Sequence, residues 1–122
     1  MTVVIVEPCK APDQKEIDAS LEAMQQIVGG LIQAIYPFEE SIALICNEED
    51  KLTGLPPNRA LRDETGKIYD VVCGAFFLCA APPDSENFES LTEDQMERYA
   101  KRFQHPEVFL RVNGEIVAIP VP

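Results

Sequence analysis

Between Cys46 and Cys79 the chain is cut so often by proline, glycine and turn-forming residues that only short strands joined by ordered loops fit. Asn47-Glu48-Glu49-Asp50-Lys51 reads as a polar turn. Leu52 to Arg59 is too rich in glycine and proline for a regular element and is expected to form an ordered loop. Arg62 to Lys67 carries the residues of a tight reversal. It leads into Ile68–Val72 and then Gly74–Ala80, read as a strand whose glycine marks a bulge or a close backbone approach.

The flanking segments read in the same way. Val3–Val6 is a short buried strand closed by Pro8, which lacks an N–H for the ladder. From about Lys15 to Val28, Ile17, Leu21, Met24 and Val28 recur at three- and four-residue steps, which predicts one helix stopped by Gly29-Gly30. Leu31–Tyr36 and Ile42–Cys46 predict an antiparallel hairpin. Thr92 and Gln95 make the capping box of a second helix reaching Arg102 or Phe103, with Met96, Tyr99 and Phe103 on its apolar face. Val108–Val112 and Glu115–Val121 flank Asn113-Gly114, a pair that favours a type I′ hairpin turn. Residues 1–122 are therefore expected to form a single α+β domain, two helices packed on a mostly antiparallel sheet, with a C-terminal hairpin at about 108–121.

No apolar run approaches the roughly 18 residues that span a bilayer, and the short N-terminal run lacks a basic lead, which points to the cytoplasm. Twenty-one acids against ten bases give a formal net charge of -11, which disfavours direct contact with nucleic acid or an anionic membrane. Two base-free acidic runs, 39–50 and 84–97, read as solvated loop or helix faces, with imitation of a phosphate backbone or contact with a basic partner as the alternative. In the first, Glu39, Glu40, Glu48, Glu49 and Asp50 are the partner-binding candidates.

The residues that carry chemistry do not assemble into a familiar motif. Cys9, Cys46, Cys73 and Cys79 form no closely spaced pair, His105 is the only histidine, and no serine sits in a nucleophile elbow. No catalytic residue, metal ligand or cofactor is assigned. Asn58 and Arg59 are the sharpest candidates for a ligand, because a restrained Pro-Pro loop would present an amide and a guanidinium together to an anion, with Arg62 in support. The favoured reading of the pair is nevertheless structural: Asn58 bonds its own loop backbone while Arg59 pairs with a neighbouring acid such as Asp63, since asparagine in turns usually bonds locally. Asp70 either faces solvent or answers Arg59 or Arg62.

An ordered series of short motifs carries a resemblance: the run from Ser20 to Tyr36, then Cys46-Asn47-Glu48-Glu49, Lys51-Leu52, Gly54-Leu55-Pro56-Pro57-Asn58-Arg59-Ala60, and Asp70 followed by Gly74. Over about residues 3–104 the chain resembles the family catalogued as domain of unknown function 3846, found in bacteriophages and conjugative elements. No activity comes with that resemblance. It implies an accessory protein of a mobile element inside a bacterial host. Within that context the leading expectation is a non-enzymatic acidic protein that occupies a host protein, such as a defence nuclease with a basic groove. Capture of a small molecule or nucleotide at Asn58 and Arg59 is the alternative.

Overall fold

Three strands of this protein carry apolar side chains on both faces, and the architecture follows from what covers each face. The computed structural model describes residues 1–122. In chain order the elements are β1 (Thr2–Val6), β2 (Asp13–Glu16), α1 (Leu21–Val28), β3 (Ile32–Ile35), β4 (Ile42–Asn47), β5 (Pro57–Arg62), β6 (Ile68–Cys73), β7 (Phe76–Ala80), α2 (Glu93–Arg102), β8 (Glu107–Val112) and β9 (Glu115–Pro120). Five strands form one antiparallel sheet in the order β2-β1-β7-β4-β3, while β5–β6 and β8–β9 are separate antiparallel ribbons.

Alternation along the central strands sorts their side chains into two cores. Val3, Ile5, Ala43, Ile45, Phe77 and Cys79 face α1, where Met24 and Val28 close one layer. Val4, Val6, Ile42, Leu44, Phe76 and Leu78 face the opposite way, onto Leu61 and Val72 of the β5–β6 ribbon and Tyr99 and Phe103 of the α2 region. Burial on both faces explains why these strands read as unbroken apolar runs. Phe76 and Phe77, adjacent and fully buried, point into different cores. The α+β class, the two helices and both capping devices match the reading of the sequence. Thr92 and Gln95 complete the capping box, and Gly29 ends α1 at φ 78°. Asn113 and Gly114, at φ 51° and 81°, make the turn of the last hairpin.

Three expectations are corrected. Residues 13–16 are an edge strand paired with β1, and the helix begins only after Ser20, whose hydroxyl accepts from the Ala23 N–H at 3.1 Å. Ile17 nevertheless packs against the α1 core, so the helical spacing arose from a strand exit and a helix that cover one face. The loop expected over 52–59 ends early, because residues 57–62 form β5. Pro57 is tolerated because it opens the strand, and two register irregularities absorb the misfit. The single strand expected over 68–80 is two strands in different sheets, divided at Gly74. Gly74 has φ 76°, and a Cβ there would lie 2.8 Å from Leu55 Cδ1, so the glycine is needed both for its backbone and for its lack of a side chain.

The two cores also set thiol chemistry. Burial pushes the Cys46 thiol up to about 11 and the Cys79 thiol up to about 12, whereas Cys9 is exposed. Labelling of the native protein with a thiol reagent at pH 8 should therefore modify Cys9 first, and Cys9→Ser should remove that fast phase. Cys46 and Cys79 should react only on unfolding, as read by mass spectrometry of labelled peptides.

Candidate functional site

Asn58 and Arg59 occupy the interior, each with 1% of its surface exposed. The Asn58 amide donates to the Val6 carbonyl and to the Gly74 carbonyl, both at 2.9 Å, which ties β5 to β1 and to the division between β6 and β7. The Arg59 guanidinium donates through Nε and Nη2 to the Phe103 carbonyl at 3.1 and 3.0 Å. Its Nη2 also donates to the Lys10 carbonyl at 2.6 Å, and its Nη1 to the Asn58 carbonyl and Oδ1 at 3.2 and 2.8 Å. These are five hydrogen bonds from a group with about five N–H donors. No donor is left over for a ligand. Burial pushes the Arg59 pKa down, opposed chiefly by the nearby Glu107 carboxylate.

Asn58 and Arg59 are therefore not presented on a loop, and Arg59 does not pair with Asp63. Asp63 instead accepts from Thr65 and from the Lys67 N–H within its own turn. Arg62 is separate from the pair: its Nη2 donates to Glu107 Oε2 at 2.9 Å, while Glu107 Oε1 accepts from the Ala60 N–H at 3.2 Å. Glu107 thereby fastens the last hairpin to β5. Asp70 answers Lys51 at 3.2 Å, not Arg59 or Arg62.

The run 39–50 does not make one acidic face. Its middle is β4, buried throughout, and six residues of strand separate the two ends by about 20 Å. Asp50 is only 8% exposed and its Oδ2 accepts from the Cys73 N–H at 2.9 Å. Glu40 is clamped by Arg98 through two hydrogen bonds of 2.8 and 3.2 Å, and it accepts a further hydrogen bond from the Tyr99 hydroxyl. Glu39, Glu48 and Glu49 remain exposed. Asn47, read as part of a polar turn, is also buried: it donates to the Val28 carbonyl at the end of α1 and accepts from the Glu49 N–H. The paired Asn47 and Gly29-Gly30 signals were visible in the sequence, but not that a side chain from one would satisfy the helix end beside the other.

The last hairpin carries a feature that the sequence reading missed. Register places Val108 opposite Ile119 and Leu110 opposite Val117, with Val112 opposite Glu115, all on one face of the ribbon. The five aliphatic residues are 38–48% exposed. Phe109 and Arg111, opposite Ala118 and Ile116, occupy the other face. Strict alternation was readable, yet both faces of this ribbon are largely apolar, so the pattern did not say which one is covered. No group of three or more His, Cys, Asp or Glu gathers where a metal ion would be held, and no helix is long and apolar enough to cross a membrane.

The fold and this surface define an α+β domain built on a two-faced antiparallel sheet, pinned by a buried Asn-Arg pair and extended by an apolar ribbon. A family model described as domain of unknown function (DUF3846) matches residues 1–104, and the chain belongs to that family. Comparison with curated proteins and with solved structures finds no match. The motif Gly54 to Ala60, Asp70 and Gly74 lie within the matched region, where Asn58, Arg59 and Gly74 build the buried node, whereas β8 and β9 lie beyond it.

Asn58→Ala should remove the amide that bonds the Val6 and Gly74 carbonyls and the Oδ1 that accepts from Arg59, and lower the unfolding free energy by about 3 kcal/mol in urea titration. Arg59→Lys should also destabilise, because a lysine has three donors and no planar fork. A loss below about 0.5 kcal/mol for both would show that the node is not structural.

Hydrogen bonds from Arg98 and Tyr99 hold the Glu40 carboxyl below its usual range. The sign follows: a depressed folded pKa contributes stability that is complete above the ordinary carboxylate value and is lost as pH falls through the folded one. Glu40→Gln should thus reduce Tm at neutral pH and flatten the Tm decline below about pH 4.5 relative to wild type, measured by thermal scans across pH.

Proposed function

We propose that this protein is a non-enzymatic binding protein that works by occupying another protein, with the outer face of the C-terminal hairpin as its main contact. The observation that carries this reading is the aliphatic ladder Val108, Leu110, Val112, Val117 and Ile119, exposed on a ribbon held to the body by Glu107. Contiguous apolar surface of this kind is usual at interaction sites and unfavourable in free solution. Residues 108–122 contain one base and one acid, so the ladder is locally neutral on a chain of net charge -11. The acids elsewhere, including Glu39, Glu48 and Glu49, favour approach to a basic partner and raise the association rate without forming the contact itself.

The context proposed is a phage or other mobile element acting on a protein of its bacterial host in the cytoplasm, with inhibition of a defence factor as one form. A basic nucleic-acid groove is a surface to which such a charge is complementary. The alternative of small-molecule capture by Asn58 and Arg59 lacks support from geometry, since their donors are spent on the protein.

Capture of host proteins from a bacterial lysate, eluted with rising salt, tests the reading. Leu110→Asp combined with Val117→Asp should weaken a specific partner by roughly thirtyfold or more, as for a central interface residue. Glu48→Lys with Glu49→Lys should slow association and reduce its salt dependence. Retention of every partner by the hairpin variant would overturn the assignment of this face.

A further inference from the structure

Bases are scarce in this chain, and four of the ten line one cavity. Lys51, Arg62, Lys67 and Arg111 surround a groove of about 680 Å³ between β6, the turn before it, and the β8–β9 hairpin. Only two acids, Asp70 and Glu115, share that lining, so the remaining six bases are spread over the rest of the molecule with nineteen acids. Lys51 is paired with Asp70 at 3.2 Å and Arg62 with Glu107 at 2.9 Å. Lys67 and Arg111 are exposed, and no carboxylate lies within ion-pair distance of either. The groove is thus a positive island on a strongly negative protein, with two cations uncommitted.

The other lining residues define the shape of what would fit. Tyr69, 56% exposed, offers an aromatic ring on the β6 side, and Ile116, Val117 and Ala118 supply an apolar wall from β9. A site with cations, a free aromatic ring and an apolar wall matches a ligand that joins phosphate to a flat ring. The volume is in the range of small-molecule pockets, about 300–1,000 Å³. Lys67 comes from the region shared with the family and Arg111 from the hairpin beyond it, so both parts of the chain are needed to complete the site.

We propose that this groove binds a nucleotide, with Lys67 and Arg111 on its phosphates and Tyr69 against its base. The site borders the outer hairpin face, with which it shares Val117, and does not depend on the protein-binding reading. Compensation of the global charge is local, as an anion site on an acidic protein requires.

Calorimetric titration of the full chain with ATP, and in parallel with inorganic tripolyphosphate, tests the proposal at low and moderate salt. ATP should bind saturably at one site. Lys67→Glu and Arg111→Glu, both at exposed positions, should each weaken it by about tenfold or more with Tm unchanged. Tyr69→Ala should weaken ATP and leave tripolyphosphate unaffected. Lys15→Glu, the same charge change outside the groove, should have no effect. Absence of ATP binding, equal weakening by Lys15→Glu, or tripolyphosphate binding as tight as ATP with no effect of Tyr69→Ala would each overturn it.

Discussion

Much of this structure converges on the burial of one guanidinium. Arg59 reaches across the second core to carbonyls of Lys10 and Phe103, and its neighbour Asn58 reaches Val6 and Gly74. The β1–β2 connection, the end of α2, the end of β1 and the break between β6 and β7 are thereby joined to β5. A buried charge is costly unless its hydrogen-bonding capacity is met, and here backbone carbonyls and the Asn58 side-chain oxygen meet it where no carboxylate makes direct contact. The Phe103 carbonyl belongs to the C-terminal end of α2, where the peptide dipoles favour a cation. Phe103 also packs its ring against Phe76 at 5.4 Å between centroids, so the same residue serves the polar node and the apolar core.

That node explains the motif series better than a ligand does. Leu55 occupies the space that a Gly74 side chain would need, and the Pro56 carbonyl accepts from the Gly74 N–H at 2.7 Å. Pro57 starts β5, and Asn58 then returns to the Gly74 carbonyl. Leucine and two prolines before an asparagine and an arginine are therefore parts of one joint, at which the chain leaves the main sheet after β4 and re-enters it as β7.

How much of this was legible depended on the range of the interaction. Capping of α2 by Thr92 and Gln95, the stop at Gly29 and the Asn113-Gly114 turn are set by residues a few positions apart, so sequence alone exposed them. The two-faced burial of β1, β4 and β7 showed as continuous apolar runs. Asn58 and Arg59 were singled out for their hydrogen-bonding groups but expected on a loop, because nothing local to Pro56-Pro57 reveals that carbonyls 44 and 49 residues away will take the guanidinium. The acidic run 39–50 misled for a related reason. Counting charges along the chain ignores that β4 passes through the core and separates Glu39 from Glu48 and Glu49.

The last hairpin gains its significance from the same constraint. An isolated two-stranded ribbon is marginal in water, and this one pairs with no strand of the main sheet. What orients it is Glu107, which bonds the Ala60 N–H and Arg62 and so holds β8 to the strand that carries Asn58 and Arg59. Rigidity in the buried node is thus passed to a surface ribbon, whose outer face and groove-facing residues are held in a defined relation to β6. A ribbon tethered only by its chain connection would present neither a fixed apolar ladder nor a cavity completed by Arg111. The family-matched residues therefore supply the platform, and β8 and β9, beyond the matched range, supply the exposed ribbon.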